Sequence, residues 1–260
     1  MSEGMPTADD YGIKATMTSH RILDTIRSRD RPTLTEIARA LDLSKPAVHK
    51  HLATLEAIGY VMRRDGGYEI GLELVSFGVY ARRRQRIYEV ARSRVVELAN
   101  TMREQVCLVV PGQGSEWNCL YMFTAVPADV DTPDQEGEIR PLHATAAGKV
   151  LLANMDKDEV AEFLDHDSLS SETANTITER NELQSKLQAI RDQGVAYDRQ
   201  EQSDDYRGVA APVLDDDGRP LGAIEVLGPP PRMSGKRLEE DTVGLVVSGA
   251  KDVENKISID

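Results

Sequence analysis

Apolar positions recur at helical spacing through the first sixty residues and then change to alternation. Residues 17–29 carry Ile22, Leu23 and Ile26 on one side and stop at Asp30-Arg31-Pro32, which predicts a first helix. Thr33-Leu34-Thr35-Glu36 fits a capping box, in which hydroxyl and carboxylate satisfy free backbone N–H groups, and Ile37, Ala38 and Leu41 follow on one face of a short second helix. Asp42-Leu43 make a turn, Ser44 is placed to cap a third helix running to Ile58, and Gly59 ends it. At about 100° per residue Val48, Leu52 and Leu55 share a narrow stripe that must be buried. Ala47, Lys50, Ala53, Thr54 and Ala57 lie opposite, with Lys45 and His49 at the margin. Tyr60 to Arg64 and Gly67 to Ile70 then alternate around Asp65-Gly66, a dipeptide suited to a type I′ hairpin. Three helices and a hairpin make a winged helix-turn-helix over residues 16–71, a shape that places one helix in a DNA major groove and a hairpin along the backbone. Residues 1–15 are polar, without periodicity, and are expected to be a flexible tail.

Residues 72–88 read as a linker helix, with Leu72, Leu74, Phe77 and Val79 ahead of the basic run Arg82-Arg83-Arg84-Gln85-Arg86. That run can extend a phosphate footprint or complement the negative end of a helix. Phe77 and Tyr80 fit packing at a dimer seam. A helix over 88–104, with Val90, Val95, Leu98 and Ala99 on its apolar side, opens the second domain, residues 89–260. There strands are expected at 105–111, 117–125, 195–199, 208–214 and 221–227, and helices at 145–154, 157–165, 178–193 and 236–256. Asp215 to Gly218 should turn between the last two strands, and the order of elements describes a mixed α+β sensor domain.

Composition adds charge to this picture. The 260 residues, 40% hydrophobic, suffice for two cores, and 31 basic residues against 44 acidic give a formal charge of -13. Residues 1–90 nevertheless hold 14 Lys/Arg against 12 Asp/Glu, so the acid is concentrated in the second domain and the helix-turn-helix is free to meet a polyanion. So acidic a remainder, with 5% aromatics and few lysines, suits the solvated surface of a protein from a high-salt cytoplasm; an ordinary acidic soluble protein is the plainer reading. Cys107 and Cys119 sit in apolar segments without a CxxC pair or His cluster, so neither a disulfide framework nor a metal site is expected. No leader pattern and no long apolar stretch is visible, which points to the cytoplasm.

For DNA the candidate residues are Thr35, Ser44, Lys45, Ala47, His49, Lys50 and Thr54, with Arg63 and Arg64 on the hairpin. Lys45, His49 and Lys50 would meet groove and phosphate, and the two arginines the backbone, so binding should weaken steeply with salt. His143, His166, Cys107 and Asp198 invite an enzymatic reading, yet no nucleophile elbow, HExxH, Walker or dinucleotide-binding pattern accompanies them. The Gly-rich PGQGS at 111–115 reads as a hairpin loop, and no enzyme activity or cofactor is expected.

Three stretches carry a resemblance: the helix-turn-helix segment, RPLHATAAGKVLLANM at 140–155, and QGVAYDRQEQSDDYRGVAAPVLDDDGRPLGAIEVLGPPPRMS at 193–234. Together, in order, they resemble the IclR family of transcription regulators from about residue 16 to 256. The resemblance implies an N-terminal winged helix-turn-helix and a C-terminal GAF-like domain that binds a small effector and helps form homodimers, or tetramers as dimers of dimers. It leaves open whether the protein activates or represses. Ala47 and Lys50 stand where the family usually has Thr and Arg, and His51 where it has an apolar residue. Lys50 keeps a charge without the bidentate fork, which favours phosphate over base. Carried over by motif, the effector-binding positions are Ala144, Thr145, Asp198, Tyr206, Gly208, Glu225 and Leu227; small hydroxyl or thiol residues are common in the family at the last three, and here all three differ.

Glu225 lies in apolar strand sequence whose alternation points it either inward or outward. If inward, beside Asp198, it would disfavour a carboxylate ligand and favour hydroxyls or an amine. Arg140 and Arg207 are the nearest candidates to neutralise an acidic effector. The reading is a ligand-responsive, sequence-specific DNA-binding regulator of a catabolic pathway for sugars, sugar acids or aromatic acids. The alternative is a metabolite-binding or enzymatic module whose winged helix serves protein contacts.

Overall fold

Thr33 opens the second helix of the chain as its neighbours require. Its backbone N–H donates to Glu36 Oε2 at 2.7 Å, and Glu36 N–H donates back to Thr33 Oγ1 at 3.3 Å, so two donors at the helix start are satisfied together. In the computed structural model, which describes residues 13–113, 117–130, 132, 135–166 and 169–259, with the side chains of His166, Glu240 and Ile259 left aside, this is helix α2. The chain divides into two units, Met1–Arg84 and Gln85–Asp260.

In the first unit α1 spans Lys14–Arg27, α2 Leu34–Leu41 and α3 Lys45–Ala57. Of the expected tail, residues 1–12 lie outside the described residues, and the first helix begins at Lys14, earlier than the periodicity suggests. Asp42, at φ 53°, makes the left-handed turn between α2 and α3, and Ser44 caps α3 by accepting Ala47 N–H at 3.4 Å. Strands β1 (Val61–Arg64) and β2 (Gly67–Ile70) pair antiparallel through Asp65 and Gly66 at φ 50° and 87°, the two positive angles that a type I′ turn needs. Ile22, Ile26, Ile37, Val48, Leu52, Leu55 and Val61 form the core of this unit. Each such aliphatic side chain contributes roughly 1.5–3 kcal/mol of transfer free energy.

Helix α4 covers Glu73–Arg83 and buries no residue. The linker helix expected over 72–88 is therefore interrupted: Gln85 takes extended backbone, φ -86° and ψ 112°, and α5 starts anew at Arg86, running to Met102.

The second unit is built on one antiparallel sheet of order β5-β4-β3-β8-β7-β6. Its strands are β3 (Gln105–Pro111), β4 (Asn118–Ala125), β5 (Ile139–Pro141), β6 (Ala196–Asp198), β7 (Arg207–Leu214) and β8 (Pro220–Gly228). The three-residue β5 is absent from the sequence expectation, being too short for alternation to register. The PGQGS loop falls between β3 and β4, with residues 114–116 outside the described residues. Both faces of the sheet are covered. Ile224 and Val226 point with Val106 and Leu108 toward α5 and α9 (Val243–Ile259), the latter entered through a wider π-type turn at Arg237–Thr242. Ala223 and Leu227, and with them Glu225, point toward α6 (Ala146–Asn154), α7 (Lys157–His166) and α8 (Arg180–Gln193). The second unit is therefore a layered α/β domain, and the chain as a whole is α+β in class.

Candidate functional site

The stripe of Val48, Leu52 and Leu55 faces the core of the first unit, so the other side of α3 is left to solvent. Lys45, His49, Lys50 and Thr54 are exposed there and Ala47 is half-buried. The Thr54 hydroxyl donates to Lys50 O at 3.0 Å, and Ser44 is engaged as the cap. A hollow of about 290 Å³ between the start of α2, the side of α3 and the hairpin brings Thr35, His49 and Arg63 together, with Thr33, Ala53, Glu56, Gly66 and Tyr68. Lys45, Lys50 and Arg64 lie outside that hollow. Arg64 sits 3.5 Å from Glu69, and Glu69 also accepts from Arg31 Nε at 2.5 Å, so part of the hairpin's positive charge is matched within the unit. Arg31 is not among the expected residues; nothing in a lone arginine before a proline announces that it will brace the wing.

In the second unit a polar cluster lies under α6, on the sheet face of Glu225. Asp198, Gly208 and Leu227 are in register across β6, β7 and β8, and Ala210, Glu225 and Cys107 follow two residues along. The 3-10 turn Leu142–Ala144 delivers the chain to Thr145, whose hydroxyl accepts Gly148 N–H at 2.8 Å and caps α6. Gly148 is required here, because a Cβ would collide with the Leu142 carbonyl.

Glu225 is wholly buried, so the alternation is resolved inward. Its Oε1 accepts Ala147 N–H at 3.1 Å and its Oε2 accepts the Tyr121 hydroxyl at 2.7 Å. Burial raises its pKa to about 7, against the lowering effect of those two hydrogen bonds. Asp198 is also wholly buried and held at about 7, by burial first, opposed by Lys149. Its Oδ1 accepts Glu201 N–H at 2.6 Å and Gln202 N–H at 3.4 Å, while Oδ2 has no hydrogen-bond partner among the described residues. Lys149 is fully buried in α6 and pairs with Glu201 Oε2; burial lowers its pKa, and Glu201 works the other way. Tyr121 is raised well above the ordinary phenol range by burial and by Glu225, and the same causes push the Cys119 thiol up to about 12. Gln202 Oε1 lies 3.1 Å from the Tyr121 hydroxyl, and its Nε2 donates to Gln135 Oε1 at 3.4 Å.

Of the seven expected effector positions, Ala144, Thr145, Asp198, Gly208, Glu225 and Leu227 are buried around this cluster. Tyr206 is half-buried on the approach to β7. Arg207 does not face the carboxylates but holds Gln200 Oε1 at 2.9 and 3.1 Å, and Arg140 lies 3.7 Å from Glu138. Arg207 is engaged elsewhere, because alternation from Gly208 carries it off the Glu225 face, whereas Arg140 stands across from Cys119 on that face and keeps a buried Nε without a hydrogen-bond partner among the described residues. Lys149, Glu201, Tyr121, Gln202 and Gln135 escape the sequence reading. Lys149 alone carries a signal: a single charge inside the apolar run AAGKVLLAN of a helix with no polar face.

His143 Nε2 bonds Ser170 O at 2.8 Å and is buried where the chain turns into α6, a structural place. Among the described residues no group of His, Cys, Asp and Glu could hold a metal ion, and no helix is long and apolar enough to cross a membrane.

The family described as "IclR helix-turn-helix domain" matches residues 19–65, and that described as "Bacterial transcriptional regulator IclR C-terminal" matches residues 79–255. The chain is 26% identical over 250 residues to the "Probable HTH-type transcriptional regulator ArcR" of Halobacterium salinarum, covering 94% of each chain. It is 32% identical over 200 residues, 75% of this chain and 76% of the relative, to the "Glycerol operon regulatory protein" of Streptomyces coelicolor. Among solved structures, an IclR homologue complexed with 4-hydroxybenzoate from Microbacterium hydrocarbonoxydans superposes with a TM-score of 0.77 at 20% identity, covering 94% of this chain and 99% of that one.

Proposed function

The chain belongs to the IclR family of transcriptional regulators, and from that premise we propose that it is a ligand-responsive, sequence-specific DNA-binding regulator whose operator is read by α3 and the β1–β2 wing. The observation that carries the reading is the orientation of α3: with Val48, Leu52 and Leu55 in the core, its Lys50 side is free to enter a duplex. Lys45, Lys50 and Arg63 supply phosphate contacts; Ala47, His49, Thr54 and Thr35 line the approach to base edges; Ser44 orients the helix, and Arg64 contributes less because Glu69 shares its charge. Lys50 acts as a point charge on phosphate.

The buried face beneath α6 serves as the effector site, and Ala144, Thr145, Asp198, Gly208, Glu225 and Leu227 border it, with Tyr206 at its margin. Effector binding shifts operator affinity only to the extent that the ligand distinguishes two conformations of the protein. The regulated genes belong to a catabolic pathway, a reading supported by the name of the glycerol operon relative. The protein works as a regulator without catalysis or cofactor, in the cytoplasm, as a homodimer. Helix α4 supplies the seam: Val75, Phe77 and Tyr80 are 56%, 55% and 66% exposed, an apolar run that a second copy would cover.

The test is an electrophoretic mobility shift on the promoter DNA of its own gene. A sequence-specific, salt-sensitive shift that disappears in the double variant Lys50→Ala, Arg63→Ala is expected. Equal binding to scrambled DNA, or an unchanged shift in the variant, would remove α3 from the interface.

A further inference from the structure

Glu225 does within this domain what an acidic ligand would do. The first turn of a helix presents unpaired N–H groups and the positive end of the helix dipole, a ready place for an anion. At the start of α6 that place is taken by a carboxylate that belongs to β8, with Ala147 N–H on one oxygen and the Tyr121 hydroxyl on the other. Both oxygens are held by donors of this chain, and the side chain is fully buried.

The charged groups around it point the same way. Asp198 approaches from β6, Glu201 from the turn after it, and Lys149 from α6, so one ammonium faces three carboxyl groups, and that ammonium is already bound to Glu201; Arg140, across from Cys119 on β4, is a second cation on this face, 3.7 Å from Glu138. A ligand carboxylate entering here would join three like groups with the helix end occupied and the Lys149 ammonium engaged, which is unfavourable in a water-poor interior. Asp198 Oδ2 presents the complementary need. It is a buried acceptor without a donor among the described residues, and a buried carboxylate oxygen left so costs free energy that an incoming N–H or O–H would recover.

Resting on the reading of this domain as effector-binding, we propose that Glu225 is a built-in carboxylate that closes the α6 end to acidic ligands. The ligand this protein answers to then carries no carboxylate and brings hydrogen-bond donors, an amine or a hydroxyl, to Asp198 Oδ2.

The test uses full-length protein and three probes on one carbon frame: glycerate, glycerol and serinol (2-amino-1,3-propanediol), followed by ligand-observed NMR and by the melting temperature. Wild type should bind serinol or glycerol and ignore glycerate; serinol ahead of glycerol marks the amine, the reverse order the polyol. Asp198→Asn should abolish binding of the donor probes. Glu225→Ser, which frees the helix end, should gain glycerate binding and rise by about 3 °C with saturating glycerate, the shift that roughly 1 kcal/mol of ligand stabilisation gives in a chain of this size. Glu225→Gln keeps an acceptor for Ala147 N–H, should melt cooperatively, and should still refuse glycerate, so a misfolded serine variant does not end the test. Glycerate binding to wild type, its failure to bind a folded Glu225→Ser, or indifference of wild type to both donor probes overturns the proposal. Operator shifts measured on the same preparations without ligand report on the regulator reading separately, and they survive if only the ligand class is wrong.

Discussion

Lys149 in the middle of α6 and Glu201 in the turn after β6 form an ion pair from which water is excluded: both side chains are at least nine-tenths buried. The pair ties the helix over the sheet to the loop that also positions Asp198. Thr176 holds the same loop by donating to Glu201 O at 2.7 Å. Removing one partner leaves a charge in the interior, which costs about 3–5 kcal/mol, whereas replacing both by apolar groups is often near neutral. Lys149→Met should therefore lower the urea midpoint sharply, and the double variant Lys149→Met, Glu201→Leu should regain most of the loss. Equal loss in both would mean that packing, not the uncompensated charge, is what the lysine supplies.

Stability should depend on pH through Asp198 and Glu225. Burial raises both to about 7 from ordinary values of 3.8 and 4.5, so between those limits the folded protein holds protons that the unfolded chain has released. Stability from this source is full at acid pH, falls as pH rises toward about 7, and levels beyond it. Urea midpoints of wild type and Glu225→Gln, taken across pH 5 to 8, should converge at the acid end and separate at the alkaline end, with wild type the lower. Parallel curves would show that Glu225 does not titrate in this range.

On DNA, Lys50→Ala should weaken binding across sequences and reduce the slope of log affinity against log salt by about 1 for each phosphate no longer neutralised. Arg64→Ala should do less, because Glu69 already shares that guanidinium. Fluorescence anisotropy over a salt series reads both. A larger effect at Arg64 than at Lys50 would shift the interface from α3 to the wing.

Thr33→Ala removes one half of the capping box at the start of α2 and should cost about 1 kcal/mol, seen in thermal or urea unfolding of the full chain. Thr33→Ser should restore it. No change would mean that solvent satisfies those N–H groups equally well.

Tyr80→Glu on α4 should loosen self-association measured by sedimentation, because Tyr80 is 66% exposed and stands clear of the Tyr60–Phe77 ring contact that anchors the helix to its own unit. A variant that sediments as wild type would move the seam off α4.

The local features of the first unit are written along the chain. Capping at Thr33 and Ser44, the buried side of α3 and the Asp65-Gly66 turn depend on interactions within a few residues, so spacing alone reveals them. The linker differs: its apolar periodicity describes one helix through 88, whereas the break at Gln85 rests on backbone geometry that such periodicity does not record.

The second site is legible only in part, for the opposite reason. Motif positions lead to Asp198, Gly208, Glu225 and Leu227, but the partners of those residues come from distant stretches: Tyr121 reaches Glu225 across 104 residues and Glu201 reaches Lys149 across 52. The sequence by itself determined most of the helix and strand segments, where helices α2 and α3 are capped, and which side of α3 stays in water. Only the tertiary structure decided that Glu225 points inward, because a strand's two faces are equivalent until a sheet is covered. It also decided that the carboxylate rests on the end of α6, because that meeting depends on how a helix is laid over a sheet built from strands far apart in the chain.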